Sequence, residues 1–155
     1  MNGVTKIGNF DQNRMLEEIE SLNIDEDQFC LQGVKGVDDY LYGSRKIDEM
    51  NHLEEEFTEF LFDLPYTNSL LKKFNVYRAR VMSLPKKYCM TYHYDPTNRI
   101  HFPLISNEDF FFIVDDFVYR MNEQNSVYIL EATKKHTAAN ASLKTRIHVI
   151  GCINE

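Results

Sequence analysis

The sequence predicts a mainly β domain braced by N-terminal helices. Three observations carry this. The chain is acidic and helically patterned up to about Leu71. From Val76 onward it breaks into short runs of β-branched and aromatic residues separated by turn signals. Its 155 residues are the length of one domain. A chain this long buries about two thirds of its unfolded surface and needs no disulfide or structural metal to hold a core. The hydrophobic share of 43% and charged share of 26% are those of a globular protein.

In the first half, residues 13–22 set Met15, Ile19 and Leu22 at helical spacing. Residues 44–61 set Ile47, Met50, Leu53, Phe57, Phe60 and Leu61 on one stripe of a longer helix, with Glu54, Glu55 and Glu56 solvated opposite. Consecutive helical residues point in different directions, so these three glutamates do not read as a metal cluster. Residues 29–34 suit a short strand, and Pro65 opens a turn into a short helix through Leu71. In the second half, strands are expected at 76–84, 88–94, 100–105, 110–114, 117–121, 127–130 and 146–153, with a turn at 138–142. Helices followed by many short strands imply a β-core, sandwich or barrel, with a helical buttress. The expected organisation is a single domain over 1–155: residues 1–75 form the buttress and substrate-side elements, and 76–155 form the core with the site.

Composition excludes several classes. Twenty-four acidic against 17 basic residues give a net charge of −7 and a pI near 5.2, which opposes sequence-independent nucleic-acid binding. Cys30, Cys89 and Cys152 include no CxxC pair, which disfavours a disulfide framework or thiolate zinc site and fits a reducing compartment. Cys89 and Cys152 fall in expected strands and read as inert buried thiols. Residues 1–14 lack the apolar region of a signal peptide, and no run approaches the roughly 18 apolar residues of a membrane span. A soluble cytoplasmic protein with no membrane or nucleic-acid partner is expected.

The chemistry concentrates in the β half. His93-Tyr94-Asp95 is an H-x-D triplet at a strand end, where residues i and i+2 share a face. His136 follows later. Two neutral imidazoles and one carboxylate on one face make the triad of non-haem Fe(II) oxygenases, which leaves metal positions open. In 145–150, Arg146 and His148 alternate with Ile147 and Val149. An inward arginine in a β-core is costly unless it meets an anion, and a guanidinium suits a carboxylate. Arg99 and His101 repeat the i, i+2 arrangement. His148 either orients a ligand or packs in the core.

The strings HYDPTNRIHFPL at 93–104, HTAAN at 136–140 and RIHVI at 146–150 resemble the aspartyl/asparaginyl β-hydroxylase family and the similar bacterial free-proline hydroxylases. The resemblance spans residues 78–152, about half the chain. It implies a double-stranded β-helix (a cupin-like jelly roll) that uses Fe(II), 2-oxoglutarate and O₂. Residue by residue, it implies His93, Asp95 and His136 as metal ligands and Arg146 as partner of the distal carboxylate of 2-oxoglutarate. Arg99 and His101 match positions contacting the co-substrate, and Asn140 matches a structural asparagine. Some family members carry glycine where this chain has Asp95, which sets it nearer the proline-hydroxylase pattern and against halogenation. The charges of Fe(II), Asp95, 2-oxoglutarate and Arg146 sum to zero, which would leave Arg99 to hold the C1 carboxylate or a substrate acid. The implied activity is hydroxylation of an aliphatic C–H of a small-molecule amino acid or a peptide side chain, Asp-, Asn- or Pro-like. Two alternatives stay open: a non-catalytic jelly-roll metabolite-binding module, and a cupin-type metal enzyme that does not use 2-oxoglutarate.

Overall fold

A computed structural model describes residues 2–47 and 50–154. Twelve strands and two helices follow in the order β1 (Val4–Asn9), α1 (Gln12–Ser21), β2 (Gln28–Cys30), β3 (Gln32–Gly33), β4 (Glu59–Phe60), α2 (Pro65–Lys73), β5 (Tyr77–Leu84), β6 (Tyr88–Cys89), β7 (Arg99–Ile105), β8 (Phe110–Val114), β9 (Phe117–Tyr119), β10 (Ser126–Leu130), β11 (His136–Asn140) and β12 (Arg146–Cys152). The fold is mainly β with antiparallel sheets. Six strands form one sheet in the order β1-β10-β7-β12-β5-β2, four form a second in the order β6-β11-β8-β9, and β3 pairs with β4.

The helices follow from local chemistry. Asp11 caps α1 by accepting from the Arg14 backbone N–H, and α1 buries Met15 and Ile19. Pro65 starts α2, where its missing N–H costs nothing. Glu18 of α1 accepts from the Tyr66 and Thr67 N–H groups at the N-terminus of α2, which locks the helices together. The six-stranded sheet separates two environments by strand alternation. Phe29, Ala79, Val81, Ile100, Phe102, Leu104, Val127 and Val149 face the helices and form the main core with Met15, Ile19, Leu70 and Leu71. The opposite face turns Leu84, Tyr128 and Leu130 toward Phe110, Phe112, Val114 and Ala138 of the four-stranded sheet. Between these apolar residues it carries Arg80, Arg99, His101, Arg146 and His148, all buried. Pro103 lies in a central strand, which a missing N–H would ordinarily forbid; it coincides with a register shift between β7 and β12.

Two expectations are corrected. Residues 44–61 do not form a helix: turns and bends lead to a 3₁₀ turn at Glu54–Glu56 and then β4. Asp48 and Glu49, in the middle of that expected helix, lie outside the described residues. The charge order opposes a helix, since Arg45 and Lys46 would sit at its positive end and Glu54 to Glu56 and Glu59 toward its negative end. Leu53 of the expected buried stripe is 64% exposed, while Phe57 is fully buried. Residues 136–140 are a strand rather than the approach to a turn at 138–142, paired with β8 over its whole length. Two smaller differences follow. Residues 4–9, too polar to read as a strand, pair with β10 along the sheet edge. Expected strand 88–94 is regular only at Tyr88–Cys89 and resumes as a single bridge at His93, and Cys89 is exposed rather than buried.

Candidate metal centre

His93 and His136 lie directly opposite each other and exchange both backbone hydrogen bonds, at 3.0 and 2.9 Å. This pairing brings the imidazole centroids to 4.4 Å. Asp95, two residues on, is held by its N–H donating to the Ala132 carbonyl. The carboxylate then sits 3.5 Å from His136 Nε2. One ligand atom from each of His93, Asp95 and His136 lies within 4.8 Å of the others.

The histidine tautomers follow from their partners. His93 Nδ1 faces the Thr91 carbonyl at 2.7 Å, and His136 Nδ1 faces the Lys134 carbonyl at 2.8 Å. A carbonyl only accepts, so in each ring Nδ1 carries the proton, and the neutral form presents its Nε2 lone pair. Both rings are oriented by a carbonyl two residues upstream, the kind of outer contact that fixes metal-ligating imidazoles. Burial pulls the Asp95 carboxyl upward, but the His136 contact and the charge of Arg99 outweigh it and hold it at about 2. It is therefore a carboxylate across the neutral range. Two neutral nitrogens and an anionic oxygen are a donor set for a divalent first-row metal.

A second group of side chains lies deeper between the sheets. Arg146 is 3% exposed. Its Nε and Nη1 have no partner, and its Cζ stands 4.6 Å over the Phe110 ring. Burial pushes its ionisation down to about 9. His101 and His148 share a hydrogen bond between their Nδ1 atoms at 3.1 Å, so one ring donates and the other accepts. Burial, then the charge of Arg146, holds both well below the usual imidazole range, and both are neutral. Their Nε2 atoms are unpartnered, which leaves one N–H and one lone pair to offer. His101 shares a strand face with Arg99, the residue that contacts the Asp95 carboxylate.

The family model described as aspartyl/asparaginyl β-hydroxylase matches residues 17–153. The chain belongs to that family. No curated protein matches this chain significantly. The match takes in the C-terminal half of α1, the 44–61 loop and α2, so the hydroxylase pattern reaches well upstream of the 78–152 segment whose motifs carry the resemblance. Among the described residues, no helix is long and apolar enough to cross a membrane.

The candidate site is bordered by a residue that sequence patterning put on the outside. Glu54 is 9% exposed. Its carboxylate accepts from Arg78 Nη1 at 2.6 Å and from Arg99 Nη2 at 3.1–3.2 Å, and the Cys152 thiol donates to it. Arg99 Nη2 also lies 3.3 Å from Asp95 Oδ1. Glu54 is thus joined to a candidate metal ligand through a single guanidinium. Arg99, expected to be available for an acid group, is committed to Glu54, Asp95 and the Thr97 hydroxyl. Arg78 reaches Glu54 because its backbone turns left-handed (φ 49°) where β5 bulges against β12, re-aiming the side chain. The sequence signal was the charge order of residues 44–61, together with the basic residues Arg78 and Arg80 on an expected strand with no acid assigned to them. Asn140 takes no part in this cluster: it donates to the Leu84 and Lys144 carbonyls and accepts from Ser142, closing the β11–β12 turn.

Proposed function

We propose that this hydroxylase-family chain is an Fe(II)- and 2-oxoglutarate-dependent dioxygenase that hydroxylates an aliphatic C–H of an amino acid or peptide side chain. The observation that carries the reading is Arg146. A buried guanidinium with two unpartnered nitrogens is unfavourable alone, and it becomes favourable once a carboxylate fills the space before it. It shares a strand face with His148, whose bonded partner His101 also offers an unused hydrogen-bonding atom, and His101 shares a strand face with Arg99, which contacts the Asp95 carboxylate.

In this reading His93, Asp95 and His136 hold Fe(II), and Arg146 holds the distal carboxylate of 2-oxoglutarate. His101 and His148 supply one donor and one acceptor to the co-substrate. Phe110 and Phe112 wall the space and keep water out, and the Glu54–Arg99 pair keeps the Asp95 carboxylate in place. The chemistry supplied when metal and co-substrate are bound is a coupled oxidation: the substrate C–H, 2-oxoglutarate and O₂ give an alcohol, succinate and CO₂. The two antiparallel sheets facing each other across the site are read as the halves of a cupin-like jelly roll, with residues 1–75 as buttress and substrate wall of one domain.

The test is anaerobic addition of Fe(II) and 2-oxoglutarate to the metal-free protein. A visible charge-transfer band that is lost in His136→Ala, with succinate formed on admitting O₂, is the expected result. Binding of neither metal nor 2-oxoglutarate would overturn the reading.

A further inference from the structure

Strand β9 (Phe117–Tyr119) closes one side of the four-stranded sheet, with β8 on its inner flank and no strand of the described residues beyond it. The hairpin that carries it is tight. Asp115 and Asp116 both take positive φ, 47° and 69°, the signature of a two-residue type I′ turn. That turn makes Val114 and Phe117 a hydrogen-bonded pair, and the pairs alternate from there. Phe112 and Tyr119 are bonded, and Ile113 and Val118 are not. The Val118 N–H and C=O therefore point away from β8, out of the sheet edge. The side chains follow the same register. Phe117 and Tyr119 lie opposite Val114 and Phe112, which face the interior, and Val118 lies opposite Ile113 on the outer face.

Edge strands ordinarily carry a charge, a proline or a cover that discourages pairing. The three residues of β9 carry none, and Phe117 is 67% exposed and Val118 53%. The edge is instead complementary to itself. When β9 is laid antiparallel against a second copy and centred on Val118, each residue meets the one equally far beyond that centre. Val118 meets Val118, with both outward hydrogen bonds exchanged. Phe117 meets Tyr119 twice, an aromatic cross-strand pair that covers the exposed Phe117 ring. Asp116 meets Arg120 twice, so an opposite-charge pair closes each end. Asp116 and Arg120 are both exposed, and neither is in an ion pair with another described residue. Arg120 is held in place, since its Nε donates to the Glu108 carbonyl at 2.7 Å and its Cζ stands 5.8 Å over the Phe111 ring. Centring the pair on Phe117 or Tyr119 would set Val118 against Asp116 or Arg120, so charge and apolar contact agree on one register. A patch that matches its own copy in this way is the mark of a two-fold contact.

We propose that β9 is the interface of a homodimer, in which two copies pair edge to edge across a two-fold axis and their four-stranded sheets continue as one sheet of eight strands. The edge is short, so the dimer is weak and reversible, with a dissociation constant on the order of 0.1 mM. Strand β11, which carries His136, lies two strands in from β9, so both candidate metal centres ride on the shared sheet. The proposal stands independently of the oxygenase reading.

The experiment is analytical ultracentrifugation of the full chain from roughly 0.01 to 1 mM, a range that brackets this constant. The wild type is expected to pass from monomer to dimer. Asp116→Arg and Arg120→Asp each set like charges opposite one another and should each weaken association by about tenfold or more. An equimolar mixture of the two variants should recover the dimer, because every charge contact then joins an arginine to an aspartate. Recovery on mixing separates lost pairing from lost folding, since a misfolded variant gains nothing from its complement. A second readout uses the exposed Cys89 on β6, the far edge of the same sheet, as a native site for a nitroxide label, with Cys30 and Cys152 buried. Seven strand spacings and the register offset put the two labels roughly 35 Å apart in the dimer, a distance read by pulsed electron paramagnetic resonance. A monomer at every concentration, single variants that associate as wild type does, a mixture that stays monomeric, or labels well short of that separation would each overturn the proposal.

Discussion

Replacing Glu54 by Gln removes the carboxylate that two buried guanidiniums share. Arg78 is 5% exposed and Arg99 6%, so neither can turn to water when its partner is neutralised. Breaking a buried ion pair from one side costs about 3–5 kcal/mol, because the remaining charge stays buried and uncompensated. At about 2–4 °C per kcal/mol for a chain of this size, the thermal midpoint should fall by about 6–20 °C. Glu55 supplies the control. It is exposed, and Glu55→Gln should stay within about 0.5 kcal/mol of wild type. The assay is thermal and urea denaturation of the metal-free proteins followed by circular dichroism. The contrast between neighbours is the point, since on a solvated helix face the two substitutions would be equivalent. Equal midpoints for Glu54→Gln and Glu55→Gln would refute the buried network. A pH series adds a signed check. Burial opposes ionisation of Glu54, but Arg99, Cys152 and Arg78 together hold its carboxyl below its ordinary 4.5. The unfolded chain then binds the extra proton, so the stabilisation is full above pH 4.5 and fades as pH falls through the depressed value. The gap between wild type and Glu54→Gln should narrow along the same path.

Other outcomes follow from the same geometry. Asp95, held at about 2 against an ordinary 3.8, contributes on the order of 2 kcal/mol that is present above pH 3.8 and lost as pH falls toward 2; acid titration of metal-free Asp95→Asn should lack that component. His136→Ala should abolish tight uptake of Co(II), seen as loss of the d–d absorption that wild type develops, and an unchanged spectrum would remove His136 from the ligand set. Arg146→Met should weaken 2-oxoglutarate binding by about 1.5–3 kcal/mol, the worth of a charge-assisted hydrogen bond, measured by calorimetry on the Zn(II)-loaded protein; wild-type affinity would refute its role. Gly151→Ala should destabilise by about 1–3 kcal/mol by overpacking, because a Cβ there would lie 2.1 Å from Val76 Cγ1; a neutral urea midpoint would contradict that close approach.

Legibility in the sequence divided along physical lines. Strands β5, β7, β8, β10 and β12 were readable because short β-branched and aromatic runs bounded by turn signals mark strands even where, as in β5, β7 and β12, both faces are buried. The His93, Asp95 and His136 set was readable because i, i+2 spacing needs only local extended backbone to converge, and one backbone bridge completes it. The 44–61 segment misled because its apolar spacing fits a helix, while the decisive interaction is between Glu54 and arginines 24 and 45 residues away. Periodicity reports only a chain's own neighbours. Strand β1 was hidden for the opposite reason: an edge strand such as Val4–Asn9, half-exposed along most of its length, has no need of an apolar pattern. Arg80 was visible as a residue on an expected strand, but its burial beside Ser44 is a property of the folded surroundings alone.

The six-stranded sheet has a consequence for how the gene can vary. Along β5 and β12, odd-numbered Ala79, Val81, Ile147 and Val149 are packed on the helices, while even-numbered Arg80, Arg146 and His148 point to the cation-rich interior. Folding energy and chemistry are thus written in alternate codons of the same strands. A saturation library scored once for abundance and once for turnover should show two interleaved combs of intolerance, offset by one residue. Variants at Arg80, Arg146 and His148 would keep abundance and lose turnover, while Leu84 and Arg78 on the same strands belong to the comb that keeps the protein folded.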